Sequence, residues 1–129
     1  MKKILFYSLL FPLVIACNKQ STKAISRLPG PDPVIIRNSY TIVTAASSIY
    51  PDSGTVYRLG LAPYASFFKF DRRIKNGDLY YEAIGESAKG FRPLKFFISN
   101  NGTGEIVAIT APDKMEVEKF NKQWHPVTR

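Results

Sequence analysis

The 129-residue sequence holds one cysteine, Cys17, one histidine, His125, and one tryptophan, Trp124. A single thiol rules out any intramolecular disulfide. Small exported domains often rely on such bridges, so this chain must be stabilised by its core or by a partner. A single imidazole excludes histidine-rich zinc sites, and a Ser-His-Asp triad or an imidazole general base would have to use His125. His125 stands beside Pro126 near the end of the sequence, a place that suits a solvated side chain. The apolar run Ile4 to Ala16 has thirteen residues, well short of the roughly 20 that a bilayer-spanning helix needs. Gly85 and Gly90 have the spacing of a phosphate-binding loop, but Phe91-Arg92 stand where Lys-Ser/Thr must follow the second glycine. Nucleotide binding is therefore rejected, and a mobile basic loop is expected there. Asn101-Gly102-Thr103, an acceptor pattern for N-glycosylation, reads as a β-turn. No repeat or low-complexity segment is present.

What is present begins at the N-terminus. Lys2 and Lys3 precede the apolar run, and a small residue, Ala16, closes it just before Cys17. That order is the order of a secretory signal. Val14, Ile15, Ala16 and Cys17 place an aliphatic, a tolerant, a small and a cysteine position in sequence, which resembles the lipobox of bacterial lipoproteins. The resemblance covers the first seventeen residues only. It implies removal of residues 1–16 by signal peptidase II and a diacylglycerol, with chains such as palmitate, on the Cys17 thiol. Two or three acyl chains make anchoring effectively permanent, at about 0.8 kcal/mol per buried methylene. Asn18, rather than an aspartate, follows the cysteine and leans toward the outer membrane, facing the periplasm.

Removing residues 1–16 leaves sixteen basic and ten acidic side chains, a formal charge of +6. In the envelope the anionic partners are lipid headgroups and wall or surface polymers, and a positive surface favours encounter with them. Export argues against nucleic acid. Residues 17–33 read as a lipidated, proline-rich tether, since Pro29, Pro31 and Pro33 disfavour both helix and sheet. Sixteen extended residues would reach roughly 50 Å. Residues 34–129 read as one globular domain.

Within it, Val34 to Ala46 has the β-branched and aromatic content of a strand, and Ser47 to Gly54 has turn chemistry. Thr55 to Leu59 is a short strand candidate. Asn76-Gly77 lies between two β-rich runs, a strong hairpin signature. That register would set Asp71 opposite Glu82 on an open, charged face. Leu94 to Ser99 and Glu105 to Thr110 form a second hairpin with apolar residues on both faces, so these strands should be central or lie under a helix. Asp113 with Glu116 three residues on makes a capping box, and Val117, Phe120 and Trp124 form the apolar stripe of a C-terminal helix ended by Pro126.

The expected fold is thus α+β, a small antiparallel sheet of five or six strands with one C-terminal helix; the alternative is a small β-sandwich or barrel. Arg72, Arg73 and Lys75 at one loop, Lys89, Arg92 and Lys95 at the next, and the nearby Tyr80 are the candidate binding surface, because Tyr and Arg anchor protein interfaces well. No catalytic, cofactor or metal constellation is expected. The expected role is a non-enzymatic, lipid-anchored binding or assembly protein, an accessory subunit working with another envelope protein. The alternative is an inhibitor or immunity protein that neutralises an enzyme or toxin at the membrane.

Overall fold

The computed structural model describes residues 23–125, so the signal-like run, Cys17 and the last four residues lie outside it. Two three-stranded antiparallel sheets form the body. The first has the order β1 (Ser39–Thr44), β5 (Leu94–Ser99), β6 (Ile106–Thr110). The second is a meander of β2 (Ala46–Ser53), β3 (Val56–Leu61) and β4 (Phe67–Asp71). Only Ala45 separates β1 from β2, so one stretch of chain feeds both sheets. At the opposite side they touch through a single parallel bridge, Lys69 to Glu105, with Lys69 N donating to Gly104 O at 2.9 Å. The six strands and the C-terminal helix match the expected α+β class, and no barrel closes.

Helix α3 (Gly77–Gly90) corrects the first expected hairpin. Asn-Gly chemistry is used here, but for entering a helix. Asn76 takes the left-handed conformation, φ 65°, and Gly77 then opens α3. A Cβ at Gly77 would lie 1.9 Å from the Arg72 carbonyl oxygen, so glycine is required by close approach. The positions that follow have helical spacing: Tyr80, Ala83 and Ile84, with the polar Ser87, are all buried. Residues 85–90, expected as a mobile basic loop, are the last turns of α3.

Two further expectations are corrected. Pro33–Arg37 is a short helix, α2, rather than the start of a strand. Asp32 Oδ1 accepts from Ile35 N at 3.1 Å and Pro33 presets the first turn, which together override the β-branched run. Ser47 to Ser53 is strand, not turn. Pro51 is tolerated because β2 is an edge strand with a register shift at Pro51/Ser53.

The core lies between the sheets and α3, with Leu59, Leu61, Phe70, Ile84, Leu94, Phe96, Ile98 and Ile109 fully buried. Ser87 crosses that interface: its Oγ accepts from Ala46 N at 2.8 Å and donates to Arg92 O at 2.6 Å. On the far face of the first sheet lies α4 (Lys114–Trp124), with the expected Asp113–Glu116 capping box in place. Phe120 is buried, and Phe91, Phe120 and Trp124 form an aromatic cluster with centroid separations of 5.2–6.2 Å. The ordered body starts ahead of residue 34. α1 (Lys23–Ser26) packs on α3, with Ala24 1% exposed and Ile25 and Leu28 against the core.

Candidate functional site

Strand alternation sends Leu59, Phe68 and Phe70 inward, so their neighbours Arg58, Phe67 and Lys69 face out. The register sets Tyr50 beside Arg58 and Arg58 beside Lys69, while Gly60 lies between Ser48 and Phe67. Tyr50 and Phe67 are about half exposed, at 53% and 47%. Their rings meet edge-on at 6.2 Å, and the Arg58 guanidinium stands 5.5 Å over the Phe67 ring. Asp52 is 3.8 Å from Arg58 Nε. At Gly60 a Cβ would press to 2.6 Å from Ser48 Oγ and 3.7 Å from the Phe67 ring, so the bare glycine lets this layer pack closely. Tyr64, also about half exposed, stacks edge-on against Phe68 at 5.9 Å. The result is an exposed patch of aromatics held by an arginine. Aromatic and arginine side chains of this kind are enriched at the centres of protein interfaces.

This patch does not coincide with the basic surface expected from sequence. Arg72 and Arg73 do lie together, in the β4–α3 connection, beside an open depression of about 600 Å³. Both are engaged. Arg72 Nε donates to Asp78 Oδ1 at 2.7 Å and its guanidinium lies 4.0 Å over the Tyr81 ring; Arg73 forks onto Asp71, with Nη2 to Oδ2 at 2.8 Å. Lys75 is exposed next to them. Tyr80 is 4% exposed and belongs to the core, so it is removed from the binding surface. Lys89 sits exposed in the last turn of α3, and Arg92 packs its stem beside Gly90. Lys95 is on β5, paired with Glu116 at 3.0 Å. The two basic groups are therefore separate features. Cys17, the position expected to carry lipid, lies outside the described residues.

The expected Asp71–Glu82 pair also dissolves with the hairpin. Asp71 accepts from Arg73 and from Thr55 Oγ1 at 2.8 Å, and these bonds hold its carboxyl well below the usual carboxylate range. Glu82, on α3, faces Arg27 at 3.3 Å. His125 caps α4 and stacks edge-on to Phe91 at 6.1 Å. Among the described residues no group of three His, Cys, Asp or Glu side chains could hold a metal ion, and no helix is long and apolar enough to cross a membrane. The patch escaped sequence reading because Tyr50 lay in a presumed turn and Phe67 was assigned to a hairpin that does not form. The available signal was the alternation Phe67-Lys69 against Phe68-Phe70.

No family model matches the chain, and no curated protein matches it. Among solved structures it is similar to pro-protein-glutaminase, at 15% identity and a TM-score of 0.59, over 70% of this chain and 32% of that one. A mutant of the same precursor matches at 16% identity and a TM-score of 0.54, over 64% of this chain and 28% of that one. The chain thus spans about a third of the length of those precursors, and what it shares with them is the fold. The expectation that this protein is no enzyme is corrected on that ground, because the shared fold occurs within an enzyme precursor.

Proposed function

We propose that the chain is a lipid-anchored protein of the bacterial cell envelope that docks another envelope protein on the outer face of its second sheet. The observation that carries this reading is the exposed Tyr50–Arg58–Phe67 patch, whose rings meet at 6.2 Å with the guanidinium 5.5 Å from Phe67. Truncating a hot-spot aromatic or arginine at the centre of an interface costs about 2 kcal/mol or more, roughly 30-fold in affinity. The anchor rests on the lipobox-like Val14 to Cys17. Metabolic labelling with a clickable fatty acid tests it: label should enter the wild type and not a Cys17→Ser variant. A photo-crosslinker at Phe67 then tests the docking face. It should capture one envelope protein in intact cells, and Arg58→Ala should weaken that capture at unchanged thermal stability. Equal capture from Lys114, on the far α4, would refute the assignment of the face.

The second reading is an inhibitor or immunity protein that covers an enzyme. It is favoured by the precursor state of the neighbour, because a pro-form joins an enzyme to a segment that maturation removes, and this chain spans about a third of such a precursor. Under this reading the captured partner is a hydrolase whose turnover falls when the purified chain is added. Release of ammonia from protein-bound glutamine by the purified chain alone would instead assign it the activity named for its structural neighbour.

A further inference from the structure

The sequence contains two Asn-Gly steps, Asn76-Gly77 and Asn101-Gly102. Such a step carries its own reactivity. The backbone nitrogen after the asparagine can attack the side-chain amide carbon, and glycine has no side chain to obstruct it. The fold treats the two steps oppositely. The Asn76–Gly77 peptide is pinned on both sides: Gly77 N donates to Ile74 O at 2.8 Å, and Asn76 O accepts from Tyr80 N at 2.9 Å. Gly77 is also buried at the start of α3. Its nitrogen can turn toward the Asn76 side chain only when this end of the helix opens. Asn101-Gly102, in contrast, lies exposed in the loop between β5 and β6. Among the described residues no backbone carbonyl accepts from the Gly102 N–H, and a Cβ at Gly102 would meet open space. Thr103 N and Thr103 Oγ1 both donate to Asn101 Oδ1, at 3.0 and 2.6 Å. Two donors on that oxygen draw charge from the amide carbon and stabilise the oxyanion formed as a nitrogen adds, the help that an oxyanion hole gives to acyl transfer.

We propose that Asn101 is a site of spontaneous deamidation and that the fold protects Asn76 from the same reaction. Gly102 N bonds to Asn101 Cγ and gives its proton to solvent. The Cγ–Nδ2 bond then breaks, and the nitrogen takes a proton and leaves as ammonia. Water opens the resulting succinimide at either carbonyl, giving aspartate or isoaspartate. The sum is one water consumed and one ammonia released, with no oxidation or reduction. Each event adds a negative charge to the loop. The isoaspartate product also lengthens the main chain by one carbon. The ends of this loop are fixed, because Ser99 N donates to Glu105 O at 2.9 Å and Asn100 N to Asn38 O at 3.0 Å. The extra length must be absorbed beside Gly104, whose carbonyl accepts from Lys69 N at 2.9 Å in the bridge between the two sheets. Conversion to isoaspartate therefore loosens that bridge, whereas conversion to aspartate leaves it intact.

The full chain is aged at neutral pH in heavy-oxygen water, digested and mapped by mass spectrometry. The Asn101 peptide should gain heavy oxygen at least about tenfold faster than the Asn76 peptide, which must await local opening. In denaturing urea the two rates should converge, since the two dipeptides are identical. Equal rates in the folded chain, or no conversion at Asn101, overturn the proposal. Thr103→Val keeps the branched shape and removes the hydroxyl donor. It should slow conversion at Asn101 at least about threefold and leave Asn76 unchanged; an unchanged rate at Asn101 overturns the part assigned to the hydroxyl. Hydrogen exchange at the Lys69 amide separates charge from chain length. Asn101→Asp should keep wild-type protection, while the isoaspartyl fraction of aged protein should exchange at least about threefold faster. Equal protection in both overturns the effect on the bridge.

Discussion

Replacing Ser87 by alanine tests whether α3 is fixed to the sheets by a polar link inside the core. Ser87 is fully buried, and its hydroxyl satisfies two backbone groups at once: the N–H of Ala46 at 2.8 Å and the carbonyl of Arg92 at 2.6 Å. Ala46 is itself fully buried, so water cannot replace the lost acceptor. One orphaned buried donor costs about 1–3 kcal/mol. The Arg92 carbonyl loses a donor as well, which brings the expected loss to roughly 2–4 kcal/mol by the same scale. For a domain of this size each kcal/mol moves the midpoint by about 4–8 °C. Thermal unfolding followed by circular dichroism should therefore show the Ser87→Ala variant melting at least about 10 °C below wild type. Ser87→Cys, of similar size with a weaker donor and acceptor, should fall between. A Ser87→Ala shift under about 3 °C would show that the link is dispensable and that apolar contact alone positions α3.

Other substitutions probe other parts of the same argument. Gly77→Ala should be the most damaging glycine change, abolishing soluble expression or lowering the midpoint beyond Ser87→Ala, since its Cβ would sit 1.9 Å from the Arg72 oxygen; wild-type stability in that variant would refute the close-approach account. Gly85→Ala should do the reverse and raise stability by about 0.5–1 kcal/mol, because the site is helical and open. A chemical-denaturation midpoint that does not rise would count against it. Asp71 carries a pH signature. Its carboxyl is held below the usual range first by the Arg73 side chain, so the stability it adds is present above the unfolded carboxylate value, near 3.9, and is lost as pH falls toward the lower folded value. The midpoint gap between wild type and Asp71→Asn should be constant above about pH 5 and shrink progressively as pH is lowered below about 4. A gap independent of pH would remove Asp71 from the account.

How far the fold was readable from residues varied with the kind of signal. The second hairpin and α4 were legible because alternation over Leu94 to Ser99 and the Asp113–Glu116 box are short-range and unambiguous. α3 was not, because Asn76-Gly77 serves equally as a hairpin turn and as a left-handed step into a helix. What decides is the Arg72 carbonyl, five residues back and placed by tertiary structure. α2 was lost to propensity: Val34-Ile35-Ile36 favours a strand until the Asp32 cap is weighed. The candidate patch was hidden by the turn expected over Ser47 to Gly54 and by the hairpin that does not form, and it depends on pairing across three strands, which local pattern does not specify. Gly60, inside β3, leaves room for Ser48 and Phe67 on the strands at either side of it.

The stretch running through Ala45 has a kinetic meaning. The β2–β3–β4 meander closes within residues 46–71, whereas β1 finds β5 only by pairing Ser39 with Ser99 and Thr44 with Leu94. Short loops close early and long ones late. The meander should therefore assemble first, leaving β1 as a dangling half-strand until the chain beyond residue 94 arrives. Pulse-labelled hydrogen exchange should show amides of β3 protected ahead of those of β5; simultaneous protection would mean that the two sheets condense as one unit. A chain built this way gains its local sheet early and completes its long-range one only after most of its length is available.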